Sequence, residues 1–246
     1  MTCTAIHNII RNPPYSAGQS SANDNAANIS YPNLDAQIEK TYVAASKASN
    51  KNSLYDSYIK AFRWASDRIG DEGVIGFVTN SGWVDGNATD GFRKCLSKEF
   101  RKIYIFDLRG NSRISGEMAR KEGGNIFNVR VGITIIILVK QKNQSKDGQI
   151  FYADIGDYLK KDEKLSKIRN YKSIKGIEND DDFKLIKPDD QNDWLNQGDK
   201  SFEKYSIIGD KANSEDIKVF NQYSIGLKTQ RDTWCYNFSI TCPAMT

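Results

Sequence analysis

The amino-acid sequence predicts an α/β fold, and three observations carry that prediction. Short continuous apolar runs, Gly73 to Thr79 and Val131 to Val139, have the length and β-branched content of strands buried on both faces. Segments with helical spacing, Leu34 to Ala48 and Leu54 to Ile69, alternate with them. The apolar run Ala5 to Ile10 leads directly into Asn12-Pro13-Pro14-Tyr15, as a strand does at its mouth.

Taken in order, Thr4 to Ile10 is predicted as a short strand and Ser16 to Pro32, rich in Ser, Asn, Ala and Gly, as a flexible loop. Two helices follow; in the second, Leu54, Tyr55, Tyr58, Ile59, Phe62 and Ala65 share one face. Gly73 to Thr79 is the next strand, Phe92 to Phe100 a short helix, and Ile103 to Leu108 and Val131 to Val139 two further strands. The last is too apolar to lie at an edge. This alternation implies right-handed βαβ units. Beyond Lys140 apolar residues thin out and charges crowd in, leaving short strand-like pieces at Ile150 to Ile155 and Phe183 to Ile186. The expected organisation is a partial α/β domain over 1–140, then a linker and the beginning of a second domain over 141–246.

Composition narrows the class. With 246 residues, 39% of them hydrophobic, the chain can build a core. No apolar stretch reaches the roughly 18 residues needed to cross a bilayer. The start lacks a basic n-region and a cleavage site, so the cytoplasm is the expected location. Cys3, Cys95, Cys235 and Cys242 form no CxxC pair and read as reduced thiols, with no metal site indicated. The lone histidine, His7, reads as a strand-borne packing residue. No phosphate-binding GxxxxGK[ST] loop occurs. A net charge of +4 permits nucleic-acid binding without arguing for it. Its distribution says more, because Arg109, Arg113, Arg120, Lys121 and Arg130 fall in one Gly-rich segment, whereas Asp180 to Asp182 read as a solvated acidic loop.

The chemistry is concentrated in the tetrapeptide. At average usage of about 5% for Pro, and similar or lower values for Asn and Tyr, it is expected by chance in on the order of one chain in a thousand of this length. An Asn followed by two prolines and an aromatic can hold a planar amino group and make it nucleophilic. The side-chain carbonyl of Asn12 can accept one N–H and the backbone carbonyl of Pro13 the other, so that the nitrogen lone pair leaves conjugation and can attack an electrophilic methyl. The prolines fix φ and add no competing donor. Tyr15 offers a flat face for stacking.

These features resemble amino-methyltransferases that use S-adenosylmethionine, and further blocks sharpen the likeness. Asn12-Pro-Pro-Tyr-Ser-Ala-Gly-Gln19, Ser53 to Trp64, Gly73 to Trp83 and Phe106-Asp-Leu-Arg-Gly-Asn111 resemble, in order, the methyltransferase portion of type ISP restriction-modification enzymes. Tyr223 to Asn237 is similar to the opening of that family's target-recognition region.

The resemblance implies the C-terminal half of a Rossmann-like methyltransferase sheet, followed by the start of an α+β target-recognition region. It implies double-stranded DNA as partner, and a flipped adenine stacked on Tyr15, held by Asn12 and Pro13 through its N6 amino group, with Pro14 stiffening the turn. Phe127 would be the second aromatic against the base. Arg113, Arg120 and Lys121, with Lys228, Arg231 and Trp234, would approach the DNA. In the family a Gly-rich turn that cradles the cofactor precedes the tetrapeptide, and here only eleven residues do. The expectation is therefore a segment truncated at both ends, without the N-terminal methyltransferase half and the helicase and nuclease parts, and inactive by itself. An RNA or protein-glutamine methyltransferase, or a non-catalytic DNA-binding remnant, are the alternatives.

Overall fold

A computed structural model describes residues 7–15, 31–142, 147–173, 175–176, 183–198 and scattered positions between 201 and 224. The chain divides into two compact units, Met1–Gln197 and Gly198–Thr246. In the second, the described residues include a backbone hydrogen bond from Phe220 N to Ile208 O at 2.8 Å.

The first unit is built on a six-stranded mixed sheet in the order β1-β2-β4-β3-β5-β6. Its strands are β1 (Asn8–Arg11), β2 (Gly73–Asn80), β3 (Lys102–Asp107), β4 (Ile133–Lys140), β5 (Gln149–Asp154) and β6 (Lys184–Ile186). The first parallel pair, β1 with β2, encloses α1 (Pro32–Ile38), which continues through a π-turn at Glu39–Val43, and α2 (Ser57–Arg68). After β2 come α3 (Gly82–Asp85) and α4 (Asp90–Glu99); α5 (Gly116–Glu122) lies between β3 and β4, and α6 (Lys161–Tyr171) between β5 and β6.

Uninterrupted βαβ winding does not persist beyond β3. The strand Ile133–Lys140 inserts antiparallel between β2 and β3, in register Phe77↔Ile136 and Ile105↔Ile136. Its run Ile-Thr-Ile-Ile-Ile-Leu-Val suits a place flanked on both sides, as expected, but apolarity sets only how deep a strand lies and not which way it runs. The boundary expected at Lys140 also differs from the fold. Gln149–Asp154 pairs parallel with β3, Ile186 pairs with Ile150, and the compact unit continues to Gln197. The thin apolar content there reflects an outer position in the sheet, where fewer side chains need burying.

One face of the sheet carries Ile9, Ile75, Phe77, Ile103, Ile105, Ile136 and Leu138, packed with Ile38, Ile59, Phe62, Phe92 and Leu96 from the helices. Trp83 anchors this core, edge-on to Phe92 and Trp194 at 5.5 and 5.8 Å between ring centroids. Of the apolar face anticipated here, Tyr58, Ile59, Phe62 and Ala65 on α2 and Leu54 in the 3-10 turn before it are buried, and Tyr55 in that turn is partly buried. Asp56 caps the first turn of α2 and Gly70, at φ +66°, ends it in the left-handed conformation. Gly91 lets α4 press against the chain after α1, since a Cβ there would lie 2.1 Å from Tyr42 O. A second core, around Phe106, Ile126, Ile133, Ala153 and Tyr171, lies under α6. Among the described residues no helix is long and apolar enough to cross a membrane.

Candidate active site

Because β4 is antiparallel to both β2 and β3, the strands β1, β2, β3 and β5 all run one way and end on one edge of the sheet. Ligands of open α/β sheets gather at that carboxyl edge. Asn12-Pro13-Pro14-Tyr15 stands there, directly after β1.

Pro13 is buried, Asn12 and Pro14 are exposed, and Tyr15 is half-buried against both cores. The Tyr15 hydroxyl donates toward Asn12 Oδ1 at 3.1 Å and toward the Val78 carbonyl at 3.3 Å, sharing one proton between them. Burial pushes the Tyr15 phenol pKa up, so it stays a neutral donor. An sp² oxygen accepts two hydrogen bonds, and among the described residues only Tyr15 donates to Asn12 Oδ1, which leaves its second lone pair for an incoming N–H. Tyr58 braces Tyr15 edge-on, with ring centroids 6.3 Å apart and planes at 83°. Tyr58 is in turn hydrogen-bonded to Asn80, whose Oδ1 accepts from Gly82 N at 3.0 Å and so shapes the turn leaving β2.

Charged groups collect at the ends of β3 and β5, and of these the sequence pattern singled out Arg109 but not Asp107, Asp154 or Lys164. Asp107 and Asp154 sit opposite each other in register. Burial raises the Asp107 pKa to about 6, with nearby Asp154 adding to the shift and the Arg109 backbone N–H and Tyr152 hydroxyl opposing it. Arg109 bridges Asp154 at 2.6 Å and Asp157 at 2.5 Å, which removes it from the cations available to phosphate. The fully buried Lys164 donates to Leu108 O at 2.8 Å and Glu122 O at 2.7 Å, and desolvation lowers its pKa. The signal in the sequence is Phe106-Asp-Leu-Arg-Gly-Asn111, an acid and a base straight after an apolar strand, a pattern that by itself assigns neither a role.

The other expected residues are placed as follows. Phe127 stands 47% exposed in the connection between β3 and β4. Arg113 is exposed on the same connection. Arg120 pairs with Glu117 at 3.4 Å, and Lys121 with Asp157 at 3.8 Å. His7 is exposed, not packed as the sequence suggested, and among the described residues its engagement is through the backbone carbonyl, which accepts from Val74 N at a strand end on the sheet margin. Lys228, Arg231 and Trp234, the Ser16 to Ser30 stretch and the Asp180 to Asp182 run lie outside the described residues.

No protein-family model matches the chain. No curated protein matches it either. Solved structures do. The type ISP enzyme LlaBIII bound to DNA matches with a TM-score of 0.84 and 44% identity over 93% of this chain. A nuclease-deletion mutant of the type ISP enzyme LlaGI, in complex with a DNA substrate mimic, matches with 0.81 and 46% over 94%. The chain belongs to the type ISP restriction-modification family. The DrdV–DNA complex is similar as well, with 0.77 and 36% over 93%. The chain spans 15%, 18% and 23% of the length of these three proteins.

Proposed function

We propose that this chain carries the acceptor side of an adenine-N6 DNA methyltransferase within a restriction-modification system of the cytoplasm. The observation that carries the reading is the placement of Asn12 and Pro13 at the carboxyl edge of the sheet, with the Asn12 carbonyl steadied by Tyr15 and still able to accept. An adenine extruded from the duplex would stack on Tyr15 and give its two amino N–H groups to Asn12 Oδ1 and the Pro13 carbonyl. That arrangement localises the lone pair on N6 before any methyl arrives, so positioning supplies much of the acceleration. Phe127 is the candidate for the opposite face of the base, and Lys228, Arg231 and Trp234 for contacts in the target-recognition region.

The donor, S-adenosylmethionine, supplies an electrophilic methyl when bound. The described residues form no Gly-rich turn after a first strand of the kind that cradles it, and the residues singled out here act on the acceptor. On this reading the chain by itself binds DNA without methylating it. An RNA or protein-glutamine acceptor is the second reading, since both chemistries use the same tetrapeptide.

The test is Asn12→Ala in a complete enzyme rebuilt around this segment. Removing a preorganised polar contact at the reacting atom is expected to slow N6-adenine methylation by about 10² to 10³, with duplex affinity unchanged. Methylation within threefold of the parent removes Asn12 from the chemistry, and methyl transfer to RNA or a glutamine peptide in place of DNA favours the second reading.

A further inference from the structure

The hydroxyl of Tyr15 pins the ring at its tip but does not fix its plane. The phenol oxygen lies on the Cβ–Cγ axis, so the hydrogen bonds toward Asn12 Oδ1 at 3.1 Å and Val78 O at 3.3 Å stay in place as the ring turns about that axis. That torsion is intrinsically broad for a tyrosine. The plane is therefore left to the side chains that touch the flanks of the ring.

Among the described residues one aromatic ring meets it, that of Tyr58, with centroids 6.3 Å apart and planes at 83°. A near-perpendicular pair is a favoured aromatic arrangement, and a turn of either ring disturbs it. Tyr58 is itself held at three points. Its backbone N–H donates to Asp56 Oδ1 at 3.4 Å in the first turn of α2. Its ring, 4% exposed, is packed into the core that Trp83 anchors. Its hydroxyl meets the side chain of Asn80, the last residue of β2. Asn80 Oδ1 is taken by Gly82 N at 3.0 Å, which leaves Nδ2 to face the phenol oxygen. Burial, with the Asp56 carboxylate nearby, pushes the Tyr58 phenol pKa up, so the group stays neutral beside Tyr15. A buried phenol that loses its partner costs free energy and is drawn toward water, so Asn80 fixes where the Tyr58 ring stands.

We infer that Tyr58, held by Asn80, is a positioning residue for the acceptor base: it sets the plane of the Tyr15 ring, and with it the tilt at which a stacked base presents its amino group to Asn12 and Pro13. Methyl transfer needs the nitrogen lone pair in line with the incoming methyl, and a misplacement of about 1 Å can cost about 10²-fold in rate. Duplex affinity is spread over many contacts and does not depend on this tilt. The inference rests on the base-acceptor reading above and adds to it a residue on another element, which acts only through Tyr15.

The test uses the complete enzyme rebuilt around this segment, with single-turnover methylation and duplex affinity measured in parallel. Tyr58→Leu, which removes the ring, is expected to slow methyl transfer by about 10- to 100-fold while the duplex Kd stays within about twofold. Tyr58→Phe keeps the ring and should lose at most about threefold. Phe62→Leu removes a ring from the same buried face of α2, one turn further on, and should lower the melting temperature while slowing transfer by less than about threefold. Asn80→Ala takes no ring from the core and should slow transfer by about three- to tenfold at unchanged Kd; it carries the test if Tyr58→Leu does not fold. In a Tyr15→Ala background Tyr58→Leu should cost less than about twofold more, because nothing is left for it to orient. A full additional loss in that background, a loss in Phe62→Leu equal to that in Tyr58→Leu, or a rate within about threefold of the parent in both Tyr58→Leu and Asn80→Ala overturns the inference. If Asn12→Ala leaves methylation intact, the base-acceptor reading itself has failed. A collapse in Asn12→Ala with Tyr58→Leu unaffected ends this inference alone.

Discussion

The two ends of the carboxyl edge are built very differently. At the β1 end, the tetrapeptide follows a four-residue strand paired on one side with β2, and Ile10 on that strand is 77% exposed. Its described side-chain hydrogen bonds come from one group, the Tyr15 hydroxyl, so its shape rests on proline stiffness and the burial of Pro13. At the β3–β5 end, the connection 108–132 is braced by Lys164, Arg109, Asn125 and Glu122, the last accepting from Asn111 N at 2.8 Å. On the proposed reading the tetrapeptide receives a base and needs open valences, whereas a backbone fully satisfied beforehand holds its side chains in place.

The comparison is broken most directly at Lys164. Lys164→Ala leaves the Leu108 and Glu122 carbonyls without a donor and opens a buried space, for an expected loss of about 3 to 5 kcal/mol in chemical denaturation. A loss below about 1 kcal/mol would show that the braced end does not depend on that staple.

Asp107 sharpens the contrast through pH. Its folded pKa of about 6 lies above the usual carboxylate value, so the folded state holds the proton more tightly than the unfolded chain does. Its burial therefore costs nothing below the unfolded pKa and costs most above about pH 6, once the carboxylate is charged in both states. Asp107→Asn should accordingly stabilise the protein by about 1 to 2 kcal/mol at about pH 8, with the gain fading between about pH 6 and pH 4. Melting temperatures of both proteins across that range provide the check; a gain that grows as pH falls would contradict it.

The smallest effect is expected at the lightly held end. Tyr15→Phe keeps the ring but removes the hydroxyl shared by Asn12 and Val78, for about 0.5 to 1.5 kcal/mol of stability. In a complete enzyme the same change should lower the methylation rate more than duplex binding, because a freed Asn12 amide samples other rotamers. Stability and rate both unchanged would mean that the prolines alone hold the site.

Much of this was legible in the chain itself. Periodicity marked α2 and its buried face, apolar runs marked β2 and β4, and the rare tetrapeptide marked the candidate site at the end of β1. These signals are local: they arise from spacing within a segment or from the stiffness of adjacent residues. Type ISP membership was likewise readable, because several blocks recur in order.

The tertiary structure decided what depends on which segments meet. The antiparallel insertion of β4, and the continuation of the sheet through β5 and β6 past Lys140, are pairings between distant segments, and composition constrains the depth of a strand but not its neighbour. The charged groups of one basic segment looked equivalent in the sequence. Folding brought Asp154 and Asp157 to Arg109, left Arg113 and Arg130 without an acidic partner among the described residues, and buried Lys164 beneath two carbonyls. An ionisable side chain takes its chemistry from the partners and the dielectric around it, and both are set only when the fold closes.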